Sequence, residues 1–213
     1  MDPAMPRSHH PLDETSLREA VALLAANDPH LAAIVERYGP PPLWAREPGF
    51  PTLIHIILEQ QVSLASARAA FDRLLAAVSP LTPAGFLALD DTTLRAIGFS
   101  RQKSRYARHL AQALVSGQLD LDHLAQQEDT VARSTLVALK GIGPWSADIY
   151  LLMALRRPDI WPVGDLALQL TAQRVKALPA RPTPEGMEML AEAWRPWRAV
   201  AARLLWHHYL SER

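Results

Sequence analysis

The stretch LKGIGPWSAD, Leu139 to Asp148, followed a short way downstream by WPVGD, Trp161 to Asp165, decides how this chain is read. Gly141-Ile142-Gly143 joins two segments of helical periodicity. Pro144 stands where the second helix would start, a position that proline favours. Glycines let the backbone turn tightly and approach a ligand without a Cβ in the way. The N–H groups at the following helix start, with the helix dipole, suit a phosphate oxygen. Ile142 would pin the turn to the core, Ser146 could add a hydroxyl donor, and Lys140 a charge. The same residues also fit an ordinary corner between two helices, because a bare G-x-G is a common turn.

The second segment offers one carboxylate. Asp165 follows a Pro/Gly turn and precedes LALQLTAQR, a good helix, so its plainest role is to cap that helix. An N-cap Asp that faces a cleft can also do chemistry, with the helix N-terminus favouring its negative charge. A phosphate grip followed by a lone carboxylate points to an enzyme that works on DNA.

Composition sets the bounds. With 213 residues and 49% hydrophobic content, the chain can form one large domain or two small lobes around a real core. No apolar run approaches the roughly 20 residues needed to cross a bilayer, and no secretory apolar region opens the chain. The expected setting is therefore cytoplasmic, at the nucleoid if the source is bacterial, with no membrane partner. The polar, Pro-rich start reads as a disordered tail over residues 1–11. Cysteine is absent, which excludes disulfides, a thiolate zinc site and a Cys-ligated iron–sulfur cluster.

Charge complicates the DNA reading. Lys plus Arg equals Asp plus Glu at 22 each, whereas many nucleic-acid binders are more basic. A local basic face is still available from Arg101, Lys103, Arg105 and Arg108, or from Arg195, Arg198 and Arg203. Either cluster alone reads as a solvated helix face. His55, His109, His207 and His208 lack ligand-like spacing, and the last two read as a helix-end pair.

Apolar residues recur at helical spacing almost everywhere, and strand-like alternation is scarce, so the fold class is all-α. Helices are expected over Ser16–Ala26, Pro29–Tyr38, Pro51–Val78 with a break near Val62–Ser63, Gly85–Leu89 and Asp91–Ile97. Further ones are expected over Arg101–Ser116, Glu128–Ala138, Pro144–Leu155, Leu166–Ala177, Pro184–Ala193 and Pro196–Leu210. Thr82-Pro83 reads as an N-cap followed by proline at N1.

The order LKGIGPWSAD, then WPVGD with its Asp twenty positions after Trp145, resembles the helix–hairpin–helix/Gly-Pro-Asp superfamily of DNA base-excision glycosylases. Within it the likeness is closest to the 3-methyladenine DNA glycosylase II group, the alkylbase DNA glycosylases. It spans roughly Pro51 to Arg174 and includes ILEQQVSLASA (Ile57 to Ala67) and IGFSRQKSRYARHLA (Ile97 to Ala111). The resemblance implies a two-lobed helix–hairpin–helix glycosylase fold with the active-site cleft between the lobes. One lobe would comprise 12–48 with 158–213, and the other 49–157, carrying the hairpin 139–148.

The same resemblance implies residue roles. Asp165 is the catalytic carboxylate. Gln60 and Gln61 match the segment that enters the duplex, with Gln61 the wedge, although many relatives use a bulky apolar residue there. Lys103, Lys140, Gly141, Gly143 and Ser146 match DNA-binding positions. Backbone carbonyls of Val137, Leu139 and Ile142 would hold a monovalent Na+ or K+ bridging to a phosphate, with no other cofactor required. Bifunctional relatives place at Trp145 a Lys that forms a Schiff base and cuts the strand. Its absence implies monofunctional chemistry.

Trp145, Trp161 and Tyr150 are candidates to line an aromatic base pocket, with core packing the alternative for each and favoured for Tyr150. Asp148, one helical turn after Trp145, fits an orienting role. The implied reaction hydrolyses the N-glycosidic bond of 3-methyladenine or 7-methylguanine type bases in double-stranded DNA, by base flipping and as a monomer. A glycosylase for another lesion, or a non-enzymatic damage-binding module, remains the alternative.

Overall fold

The computed structural model describes residues 10–212. The tail expected over residues 1–11 lies outside the described residues except for His10 and Pro11, which are exposed. Thirteen α-helices occur among the described residues. They are α1 (Glu14–Asn27), α2 (Pro29–Tyr38), α3 (Phe50–Glu59), α4 (Leu64–Ala77), α5 (Pro83–Leu87), α6 (Asp91–Ile97), α7 (Arg101–Val115), α8 (Leu121–Gln126), α9 (Asp129–Val137), α10 (Pro144–Ile149), α11 (Leu166–Val175), α12 (Pro184–Ala191) and α13 (Arg198–Ser211). All regular structure among these residues is helical, and no helix is long and apolar enough to cross a membrane.

The chain divides into two compact units, one built from the residues up to Ala45 together with those from Leu151 onward, the other from Arg46–Tyr150. In the first unit α13 is the central element. Every residue from Ala199 to Trp206 is buried, and the helix packs against α2, α11 and α1. Arg203, expected on a basic face, is instead wholly buried. Its guanidinium donates to the carbonyls of Leu43 (2.8 Å), Ala199 (2.9 Å) and Leu152 (2.8 Å), and burial pushes its pKa down. Arg195 and Arg198 are tied to Asp159 and Glu192, so this cluster offers little free positive charge.

The second unit is organised on α3, whose Leu53, Ile54, Ile56 and Ile57 are fully buried. Phe50, Phe86 and Phe99 meet edge-on or tilted, with centroids 5.9 and 5.6 Å apart. The expected long helix from Pro51 splits at residues 60–63. Gln60 leaves the helical region, Gln61 takes a left-handed φ of 58°, and Ser63 caps α4 through Ser66 N–H (3.2 Å). Thr82 caps α5 with Pro83 inside its first turn, as the sequence suggests.

Two features depart from the sequence reading. Helix α8 was not anticipated; it is short, capped by Asp120, and held mainly by Leu124. The continuous helix expected over Pro144–Leu155 stops at Ile149, and a π-helical turn follows over Tyr150–Ala154. A physical cause is at hand, because the Leu152 carbonyl accepts from Arg203 and that of Leu151 from Arg157 N–H (3.0 Å). Side chains and backbone from elsewhere thus divert the helical ladder.

Candidate functional site: hairpin and carboxylate

The turn between α9 and α10 is a braced backbone loop. Ile142 is buried, and its N–H donates to Leu139 O at 3.0 Å. Gly141 has a φ of 98°, and a Cβ there would lie 2.1 Å from Cγ of Tyr106, so two independent constraints require glycine. Gly143 differs. It caps α10 at an ordinary φ of −85°, and a Cβ there would meet nothing within 4 Å. The fold does not demand glycine at this position, and the helix start beyond it is open to an approaching ligand.

Gln60 supplies the brace. Its Nε2 donates to Gly141 O (2.9 Å) and to Ser146 Oγ (3.0 Å), tying the end of α3 to the hairpin. Both partners were expected at DNA-binding positions. Ser146 is only 2% exposed and its hydroxyl accepts from Gln60, so it supports the loop from within. Gln60, expected beside the duplex-entering segment, is engaged with the hairpin through both contacts.

Lys103 is also turned inward: its Nζ donates to Leu58 O (2.7 Å) at the end of α3, and burial lowers its pKa. Lys140 stays exposed beside the turn. Gln61 is exposed at the tip of the α3–α4 connection, flanked by the exposed apolar Val62 and Leu64. Sequence reading named only the glutamines here. The exposed Val and Leu beside them give this tip an apolar surface.

Asp148 is almost completely buried and takes Arg133 in a two-point ion pair at 2.6 and 3.1 Å. It anchors α10 to α9. Tyr150 is fully buried, its hydroxyl accepting from Gly49 N–H (3.0 Å), and burial raises its pKa. It is a core residue whose ring is wholly enclosed. Trp161 is 5% exposed and packs on Trp194 at 5.6 Å, so its ring too is largely spent on the core. Of the three aromatic candidates, Trp145 retains the most surface, being half-buried.

Asp165 caps α11, its Oδ1 accepting from Leu168 N–H at 3.0 Å. A second donor comes from Trp206 Nε1, at 3.2 Å from the same oxygen. Two N–H groups from different helices thus fix the carboxylate. Trp206 sits on the buried α13, and sequence reading missed it because nothing local marks a partner 41 residues downstream. Trp44, with a left-handed φ of 48° and its ring 6.3 Å from His207, lies in the same unit. Such strained non-glycine positions cluster at functional sites. His207 and His208 meet Tyr38 edge-on, consistent with a packed pair at the end of α13.

A backbone grip with an open helix start, and a carboxylate held by two donors after a Pro/Gly turn, together define a class of DNA repair protein. Residues 54–197 match the HhH-GPD superfamily base excision DNA repair protein family, and the chain belongs to that family. It is 29% identical over 201 residues to DNA-3-methyladenine glycosylase 1 of Schizosaccharomyces pombe, covering 90% of this chain and 87% of that one. The solved structure of the S. pombe 3-methyladenine DNA glycosylase in complex with abasic DNA superposes with a TM-score of 0.81 at 27% identity, covering 88% of this chain and 95% of that one. A DNA-3-methyladenine glycosidase structure from Bacillus halodurans gives a TM-score of 0.75 at 29% identity, with 91% of each chain covered. Other relatives are longer. The chain spans 64% of one Bacillus subtilis relative and 39% of the DNA-3-methyladenine glycosylase of that organism.

Proposed function

We propose that this protein is a monofunctional DNA glycosylase that hydrolyses the N-glycosidic bond of alkylated bases in duplex DNA, starting base excision repair. The carrying observation is Asp165, a carboxylate held by Leu168 N–H and Trp206 Nε1 in a chain similar over most of its length to named DNA-3-methyladenine glycosylases.

A base inside a duplex must be rotated out, at a cost of a few kcal/mol that poorly stacked damaged bases reduce. Gln61, with Val62 and Leu64 beside it, would fill the gap. A 3-methyladenine or 7-methylguanine base is already cationic and departs without protonation, so a single carboxylate suffices. Trp145 would offer that cation an aromatic face, a contact of about 0.5–2 kcal/mol. As the glycosidic bond lengthens, positive charge grows on the sugar. The Asp165 carboxylate stabilises it and orients or deprotonates the attacking water.

The hairpin would take a phosphate on the N–H groups following Gly143, with Lys140 alongside. Carbonyls of Val137, Leu139 and Ile142 fit a monovalent cation. Val137 ends α9, where helix carbonyls lack intrahelical partners, and the donor set is all hard oxygen. A bound Na+ or K+ would supply charge between hairpin and phosphate.

The monofunctional reading is supported by Trp145, whose side chain has no amine to form a Schiff base. The test is incubation with methylated duplex DNA. Free 3-methyladenine or 7-methylguanine should appear, the strand should stay intact until alkali is added, and borohydride should trap no covalent complex. Strand cleavage with a trapped adduct would overturn the monofunctional reading, and absence of base release would overturn the alkylbase reading.

A further inference from the structure

Helices α6 and α7, joined through Gly98, Phe99 and Ser100, enclose an open recess of about 450 Å³. Four guanidiniums line it: Arg95 from α6, and Arg101, Arg105 and Arg108 at successive turns of one face of α7. Only Arg108 is engaged, with Asp91 (3.0 Å) and the carbonyls of Leu89 (2.7 Å) and Leu87 (3.4 Å). Arg95, Arg101 and Arg105 are exposed and, among the described residues, make no ion pair or hydrogen bond. Asp91 is the one carboxylate in the lining, so the recess carries a net charge of +3, four arginines less one aspartate.

This concentration is notable in a chain whose charges sum to zero. The other arginine cluster is neutralised by Asp159 and Glu192 or buried, and Lys103 is bonded to Leu58 O. The recess is also distinct from the hairpin. Lys103 and Tyr106 leave α7 from another face, toward Leu58 and Gly141. Its size is that of a small-ligand site. The Phe99 side chain is only 4% exposed, so it presents no ring for a base to stack on, while Ser104 adds a hydroxyl. The recess is therefore built to read charge and not a base. Guanidinium forks bond phosphate oxygens bidentately, and several can share one phosphate group.

We propose that the recess between α6 and α7 is a second phosphate-binding site, taking two or more neighbouring phosphate groups through Arg95, Arg101 and Arg105. They come either from the backbone of a DNA segment or from a free oligophosphate such as a nucleoside triphosphate. The DNA source rests on the function proposed above; the free source does not.

The experiment compares wild type, Arg101→Gln/Arg105→Gln and Asp165→Asn, each first shown to unfold at the same temperature. Because both arginines are exposed and unpaired, the double variant should fold normally. Inorganic tripolyphosphate is titrated by calorimetry, and an undamaged duplex is titrated over a range of salt. A free-phosphate source predicts saturable tripolyphosphate binding that falls about tenfold or more in the double variant and is retained by Asp165→Asn. A DNA source predicts weaker duplex binding by the double variant, with the slope of log K against log salt reduced by about 1–2.

Unchanged binding of both probes in a folded double variant overturns the proposal. So does binding of a polyglutamate peptide with neither phosphate probe affected, which would make the recess a protein-docking site. If wild type binds tripolyphosphate but releases no methylated base, the glycosylase reading fails while the recess stands.

Discussion

The hairpin and the carboxylate site are built by opposite means. The hairpin is local: Gly141, Ile142 and Gly143 sit within three positions, and Pro144 starts the helix they feed. Distant support comes from Gln60, the packing of Tyr106 and the Arg133–Asp148 ion pair. The carboxylate is also introduced locally, by the turn before α11. Its orientation, however, depends on Trp206, delivered by the most deeply buried helix of its unit. One site is a backbone device, set by turn residues a few positions apart. The other is a side-chain device that inherits its precision from a core.

Five substitutions, one of them a control, would break or sharpen that contrast. The largest effect is expected from Asp165→Asn, which keeps the cap but removes the negative charge. Single-turnover excision should fall by roughly 10²–10⁴-fold, the range for losing a general base or its electrostatic equivalent, while duplex affinity stays within about twofold. Retention of most excision would remove Asp165 from the chemistry.

Next comes Gly141→Ala. The added Cβ overlaps the Tyr106 ring in a residue already at positive φ, so the variant should lose about 3 kcal/mol or more of stability in urea unfolding. Gly143→Ala is its control, since that Cβ meets nothing; stability should change by less than about 1 kcal/mol. If a phosphate does approach there, Gly143→Ala should still weaken DNA binding. Equal stability losses for the two would contradict the separation of a structural glycine from an open one.

Trp206→Phe removes one donor from Asp165 and keeps most of the bulk. We expect kcat to drop about ten- to a hundredfold with KM and the unfolding temperature nearly unchanged, in keeping with about 1.5–3 kcal/mol for one hydrogen bond to a charged group. A fall in stability alone would make Trp206 a packing residue. The smallest effect belongs to Gln60→Ala, which strips two hydrogen bonds from the hairpin. A stability loss of about 1–2 kcal/mol, with DNA affinity lowered and the excision rate of bound substrate kept, would identify a brace.

These sites also show where the sequence was legible. The hairpin, the cap at Asp165, the all-α class and the bounds of α2 follow from glycine, proline and cap chemistry acting within a few residues. The interruption near Val62–Ser63 was visible because Ser63 is a good cap. What escaped depends on distant partners. Trp206 has no local mark, Arg203 looks like a surface cation until three carbonyls claim it, and the π turn at Tyr150–Ala154 forms where one of those carbonyls lies. Gln60, Lys103 and Ser146 were assigned to DNA binding because their positions match such residues in the family the chain resembles. Here each satisfies a backbone or side-chain group inside the unit. Periodicity identifies a helix, but not which polar residue on it is already taken.

The most direct test measures excision and binding on the same preparations, using methylated duplex DNA with wild type and Asp165→Asn side by side. The account predicts release of 3-methyladenine or 7-methylguanine by wild type alone, with both proteins binding the duplex equally. Release by the variant at a near wild-type rate, or binding by wild type without release, would contradict it.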